Sequence, residues 1–208
     1  MPFFPDRSFS NCAEYAQAYF DLVREAQASV SGAALSEAAV LLESAVGSGA
    51  TIFACGNGGS AAIANHLLCD YLKGVSTGAT ISPRVITLSS ASELITAIAN
   101  DIGVDEIFAY PLRSLGKTGD ILIAISSSGQ SPNIVKAIET ARAQQMPVIA
   151  LTGFSGGRSL ELADVSIHVD ADNYGVVEDV HQSIMHILAQ YLKQAHYADP
   201  TALGSVPF

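Results

Sequence analysis

Five short apolar runs punctuate the chain from residue 51 onward: TIFAC, PRVITLS, DILIAIS, PVIALTG and VSIHVD. Between most of them lie segments with apolar residues three and four apart: SAAIANHLLCDYLKG, ASELITAIAN and SPNIVKAIETARAQQ. A strand that is apolar along its whole length must be buried on both faces, so this alternation predicts an α/β chain with a parallel sheet covered on both sides. Residues 11–46 add two Ala-rich helical patterns broken near VSGAA, and EDVHQSIMHILAQYLKQAHY reads as a closing helix. FAYPLRSLGKTGD reads as a short helix and turn, with Pro111 opposing a helix interior. We expect one domain over 1–208: a helical extension at about 11–46, a core at about 50–196 and a loose tail at 197–208.

Charge narrows the partners. The formal net charge is −10 and no basic run occurs, whereas binding along a nucleic-acid backbone needs a basic patch. No nucleic-acid partner is expected; an anionic metabolite remains compatible, because backbone N–H groups bind phosphate locally. Cys12, Cys55 and Cys69 are an odd set without CxxC spacing, which fits reduced thiols in the cytoplasm. MPFFPDRSFSNC has neither the basic head nor the apolar run of a signal peptide, and no segment is apolar for a membrane-spanning length. Only 14% of residues are charged, which hints at a surface partly covered by further copies of the chain.

Two loops at strand ends resemble each other. GNGGSAA follows the first apolar run and SSSGQSPN the third; both are small and polar, and both precede a helix. In parallel α/β folds ligands bind at the carboxyl ends of strands, so both loops could face one pocket. Gly56, Gly58 and Gly59 permit close backbone approach and Ser60 can cap the helix, although a ligand-free turn would use the same residues. The loop lacks the third glycine of a dinucleotide fingerprint and the lysine of a Walker loop. Ser126, Ser127, Ser128 and Ser131 offer hydroxyl donors for a phosphate, with Ser131 as cap before Pro132.

His66 and Asp70 are four apart and share a helix face, as a metal-binding or proton-exchanging pair would. The closing helix carries Glu178, Asp179, His181 and His186. Glu178 and His186 are separated by roughly 12 Å of helix rise, wide for ligands of one metal. His181 is turned by roughly 140° from His186, so one of the two faces elsewhere. Asn100 and Asp101 can end their helix and also hydrogen-bond sugar hydroxyls, although ending the helix alone would use the same residues.

CGNGGSAAIANHLL, AIAND, ISSSGQSPNIVKAIE, VIALTG and EDVHQSIMHIL together resemble the sugar isomerase (SIS) domain family, within it the phosphoheptose isomerase branch. The resemblance runs from about residue 15 to 195 in the expected order. It implies a flavodoxin-like three-layer sandwich with a five-stranded, mainly parallel sheet. It also implies an aldose–ketose isomerase acting on a phosphorylated sugar through an enediol. In that family the reaction turns sedoheptulose 7-phosphate into D-glycero-D-manno-heptose 7-phosphate, toward bacterial lipopolysaccharide. The family's members are cytoplasmic homotetramers with active sites at subunit interfaces, and many carry zinc. Carried over, Asn57, Gly58 and Gly59 contact substrate, as do Asn100 with Asp101, and Ser126, Ser127, Ser128 and Ser131 hold the phosphate. Asp70 and His186 become the catalytic pair. The implied ligands of zinc or another divalent metal are His66, Asp70, Glu178 and His186, with Asp70 and Glu178 also touching substrate.

Three departures accompany the resemblance. Asp70 stands where the family has glutamate, and Glu178 where it usually has glutamine. DYLKG is one residue longer than usual, and no arginine follows Gly74, so Lys73 is the candidate replacement. The alternatives are isomerisation of a different sugar phosphate, or a non-catalytic adaptor working through protein contacts.

Overall fold

The computed structural model describes residues 4–205. The helices are α1 (Cys12–Ala28), α2 (Gly32–Ser48), α3 (Gly58–Cys69), α4 (Ser92–Asp101), α5 (Ala109–Leu115), α6 (Pro132–Ala143), α7 (Gly157–Leu162) and α8 (Tyr174–Ala195). The strands are β1 (Thr51–Gly56), β2 (Arg84–Thr87), β3 (Ile121–Ser126), β4 (Val148–Thr152) and β5 (Val165–His168). They form one sheet in the order β2-β1-β3-β4-β5, and every pairing is parallel. This is the flavodoxin-like order, in which the chain changes winding direction between β1 and β3.

The sheet's two faces divide the core. Along β1, Ile52 and Ala54 join α2, α3 and α8 on one side, while Phe53 and Cys55 join α4, α5 and α6 on the other. All six residues of β3, at the centre, are buried. The edge strand β2 buries only alternate residues, as one covered face and one open face require. No single helix among the described residues is long and apolar enough to cross a membrane.

Local chemistry explains where the elements stop. Asn11 and Ser31 accept from backbone N–H groups three residues on and start α1 and α2, and Gly49 ends α2 in the left-handed region at φ 73°. The short helix expected in FAYPLRSLGKTGD is α5, and Pro111 lies in its first turn, not its interior. It is the third helical residue, where the missing N–H has no intrahelical acceptor to lose. The tail expected to be loose is tied down at its start: Thr80 N–H donates to the His196 carbonyl and Ala198 N–H to the Gly78 carbonyl. Residues 206–208 of that tail lie outside the described residues.

The pattern SAAIANHLLCDYLKG does not continue as one α-helix. After Cys69 it widens into a π-helical segment, Asp70–Val75. The i→i+5 turn takes up one more residue per turn than an α-helix, which accommodates the longer DYLKG spacing. Asp70 itself keeps α geometry at φ −59° and ψ −43°, so it remains one turn from His66.

Candidate active site

The loops after β1 and β3 meet at the change of winding direction. The Asn57 Nδ2 amide donates to Asn133 Oδ1 and Asn133 Nδ2 donates back to Asn57 Oδ1, both at 2.9 Å. Asn133 was not singled out in the sequence, where it reads only as a first-turn helix residue. This paired amide bridge fastens the two loops together. Beside it lies a recess of about 100 Å³ lined by Asn57, Ser60, Ile125, Ser126, Ser127, Ser128, Ser131, Tyr174 and Glu178. Its lining includes the first turns or cap positions of α3, α6 and α8, so three helix N-termini converge there. Their free N–H groups and aligned dipoles favour an anion inside an acidic protein.

The hydroxyls are not used up by the fold. Ser127 Oγ is buried with no hydrogen-bond partner among the described residues. Ser131 precedes α6 but makes no cap bond, contrary to the expected role, and Ser126 Oγ only accepts from Gly129 N–H at 3.2 Å. Ser60 is not the cap of α3 either: the helix already begins at Gly58, and Asn57 holds the cap position. At about 100 Å³ the recess is smaller than a whole ligand cleft, typically about 300 Å³ or more, and suits one end of a ligand.

Glu178 leans over this recess. A Cβ on Gly59 would collide with the Glu178 carboxyl group, so any side chain at 59 would displace it. Burial, and then the charge of Asp179, push the Glu178 carboxyl above its ordinary range. Glu178 was expected at both the substrate and the metal; it lines the recess and is outside the His66–Asp70–His186 cluster. The eight residues to His186, roughly 12 Å of rise, account for the separation.

That second cluster sits further along the same two helices. His66 Nε2 lies 3.2 Å from Asp70 Oδ1, and His186 Nδ1 lies 2.9 Å from Asp70 Oδ2. The two imidazoles meet edge to face with centroids 5.1 Å apart. Asp70 is buried and its carboxylate bridges the pair, while His66 is exposed and His186 half-buried. One ligand atom from each residue falls within 4.8 Å of the others. Ligands of a tetrahedral zinc are about 3.3 Å apart for bonds near 2.0–2.1 Å, so ligand atoms within 4.8 Å of one another would have to draw together by at most about 1.5 Å to hold one. Two imidazoles and one carboxylate make a candidate three-ligand metal site with one position open.

His181 faces elsewhere, as its angular offset requires. Its Nε2–H donates to the Thr152 carbonyl at 3.2 Å, and the ring is fully buried. Burial pushes its pKa down to about 4, so it is neutral at pH 7. Asn100 and Asp101 are exposed at the end of α4, where Asn100 Nδ2 donates to Asp101 Oδ1 at 2.6 Å. They belong to neither cluster within this chain; they are the last two residues of α4, whose C-cap is Ile102. Lys73 is exposed on the π segment. Gln182 is a further residue the sequence reading passed over: its Nε2 lies 3.0 Å from His186 Nε2. The only signal was its position one helical turn before His186.

Comparison with known proteins agrees with this architecture. The model of the SIS domain matches residues 14–153. A phosphoheptose isomerase of Colwellia psychrerythraea is 40% identical over 164 residues, covering 77% of this chain and 83% of that protein. A phosphoheptose isomerase from Bordetella avium is 41% identical over 157 residues, covering 74% and 79%. The structure of a phosphoheptose isomerase from Francisella tularensis superposes with a TM-score of 0.82 at 32% identity, over 88% of this chain and 99% of that one. The chain therefore belongs to the SIS-domain family, in its phosphoheptose isomerase branch.

Proposed function

We propose that this protein is a phosphoheptose isomerase interconverting sedoheptulose 7-phosphate and D-glycero-D-manno-heptose 7-phosphate. The observation that carries the reading is the Asp70 carboxylate bridged between His66 and His186, in a chain 40% identical to a phosphoheptose isomerase. The recess and the cluster share α3 and α8: Ser60 precedes His66 by roughly 9 Å of rise and Glu178 precedes His186 by roughly 12 Å. An extended sugar phosphate fits that spacing, with its phosphate among Ser126, Ser127, Ser128 and Ser131 and its C1–C2 unit at Asp70. Binding energy at the phosphate end then positions the reacting carbons.

Asp70 takes the proton from C1 of the ketose, giving a cis-enediol, and returns a proton to C2. Asp70 and His186, hydrogen-bonded to each other through Nδ1, together carry the proton that passes between the two substrate oxygens. His66 holds the other carboxylate oxygen and fixes the carboxylate plane. Zinc or a related divalent ion at His66, Asp70 and His186 would polarise the carbonyl and the neighbouring hydroxyl. Glu178, with its raised carboxyl, is suited to contact the sugar near the recess and is not assigned to the metal.

We assign the working form to a homotetramer in the cytoplasm. Val40, Ile187 and Tyr191 are exposed along α2 and α8 and help line one groove. An apolar surface of that kind suits self-association. A neighbouring copy is also the route by which Asn100 and Asp101 would reach a sugar. The unpaired thiols Cys12, Cys55 and Cys69 suit a reducing compartment. The test is direct turnover of sedoheptulose 7-phosphate with and without added zinc, beside a panel of other ketose and aldose phosphates. Turnover confined to another sugar would move the assignment to that substrate. The Glu178 carboxylate in the recess gives that second reading its motive. No turnover of any sugar phosphate would overturn the enzyme reading.

A further inference from the structure

We infer that Gln182 is a positioning residue for His186, one that can partner that histidine in both of its neutral tautomers. The contact is between two nitrogens, Gln182 Nε2 and His186 Nε2, at 3.0 Å. An amide nitrogen has no lone pair to offer, so it donates and the ring nitrogen accepts. The other ring nitrogen, Nδ1, lies 2.9 Å from Asp70 Oδ2, and a carboxylate oxygen accepts. Both ends give the same answer: His186 carries its proton on Nδ1. Gln182 and His186 are one turn apart on α8, so the amide stays within reach of Nε2 whatever happens at Nδ1.

The second half concerns the other tautomer, and rests on the cluster's reading as a metal and proton-transfer site. Nδ1 faces Asp70, on the side where His66 also converges, so a cation held there uses the Nδ1 lone pair and the ring proton moves to Nε2. Metal-bound histidines characteristically donate that outer N–H to an acceptor. A half-turn of the Gln182 amide presents Oε1 to Nε2–H, replacing a donor by an acceptor without moving the backbone. Glutamine alone among the neighbours seen at His186 can do both. An apolar residue could do neither, and a carboxylate only the second.

The experiment uses full-length protein and zinc as the sole ligand. Two-bond 15N–1H spectra of metal-free, 15N-labelled protein report the His186 tautomer, and chelator competition reports zinc affinity. Wild type is expected as the Nδ1–H tautomer. Gln182→Leu should keep the Nδ1–H that Asp70 accepts but bind zinc about 10–100-fold more weakly. Gln182→Glu should place a proton on Nε2 and keep zinc affinity within about threefold of wild type or above it. If Gln182→Leu does not fold, the proton on Nε2 in Gln182→Glu carries the test. An Nε2–H tautomer in wild type, or a Gln182→Leu protein with wild-type zinc affinity, overturns the proposal. So does a Gln182→Glu protein that leaves Nε2 without a proton. Neither readout involves a sugar, so failure of the isomerase assignment would leave both intact, and failure here would leave turnover untouched.

Discussion

The serine recess and the His66–Asp70–His186 cluster occupy neighbouring stretches of the same helices, yet they are built on opposite principles. The recess is made where strand ends, helix N-termini and several short hydroxyls meet, braced by the Asn57–Asn133 amide pair. The cluster is three side chains whose ring and carboxylate orientations depend on one another. A binding subsite with several separate donors tolerates loss of one hydroxyl. A chemical centre built from mutually oriented side chains does not.

Changes that test this contrast should therefore differ in size and in kind. Asp70→Asn has the largest expected effect: it keeps the shape and removes the base, and turnover should fall about 10²–10⁴-fold with little change in KM. Retained turnover would remove Asp70 from the chemistry. His181 comes next, and it acts on stability. Its pKa is about 4 in the folded protein against 6.5 ordinarily, so the folded state binds fewer protons. The stabilisation is complete above about pH 6.5 and is lost as pH falls toward 4. It amounts to on the order of 3 kcal/mol and should appear as a drop in the urea midpoint across that range. His181→Gln, although less stable at pH 7, should show a flatter profile; an equally steep one would assign the acid sensitivity elsewhere.

Asn133→Ala strands the Asn57 amide and loosens both loops at once. We expect a loss of about 1–3 kcal/mol in unfolding measurements and a raised KM. Ser127→Ala has the smallest effect. It removes one unused hydroxyl, so stability should be unchanged while KM rises roughly tenfold for one lost phosphate hydrogen bond to a charged group. A Ser127→Ala protein with altered kcat and unaltered KM would contradict the division between binding recess and chemical cluster.

Much of the fold was legible in one dimension. The all-apolar runs ILIAI and VIAL can only be strands buried on both faces, and their alternation with 3.6-periodic segments leaves a parallel sheet. The two polar loops were legible as runs of small, polar residues between an apolar strand and a helix. The short helix holding Pro111 was legible although no side chain caps its start, because a proline costs little in a first turn. Glu178, Asn100 and Asp101 were harder. A motif fixes residue order, but whether a side chain reaches a given point depends on helix rise and on how helices lie side by side. Asn133 and Gln182 were missed because amides carry no charge and match no spacing rule until a partner from elsewhere is in place.

The sequence alone determined the parallel α/β architecture, the two polar loops at strand ends and the pairing of His66 with Asp70, because each follows from periodicity or from contacts within a single helical turn. Tertiary structure decided the rest. Packing α3 beside α8 brought His186, 116 residues away in the chain, within 2.9 Å of Asp70, and left Glu178 two turns back over the serines. It also sent His181 into the core and gave His186 an amide neighbour. Those assignments turn on distances between separate helices, which only the closed packing of the sheet's two faces can set.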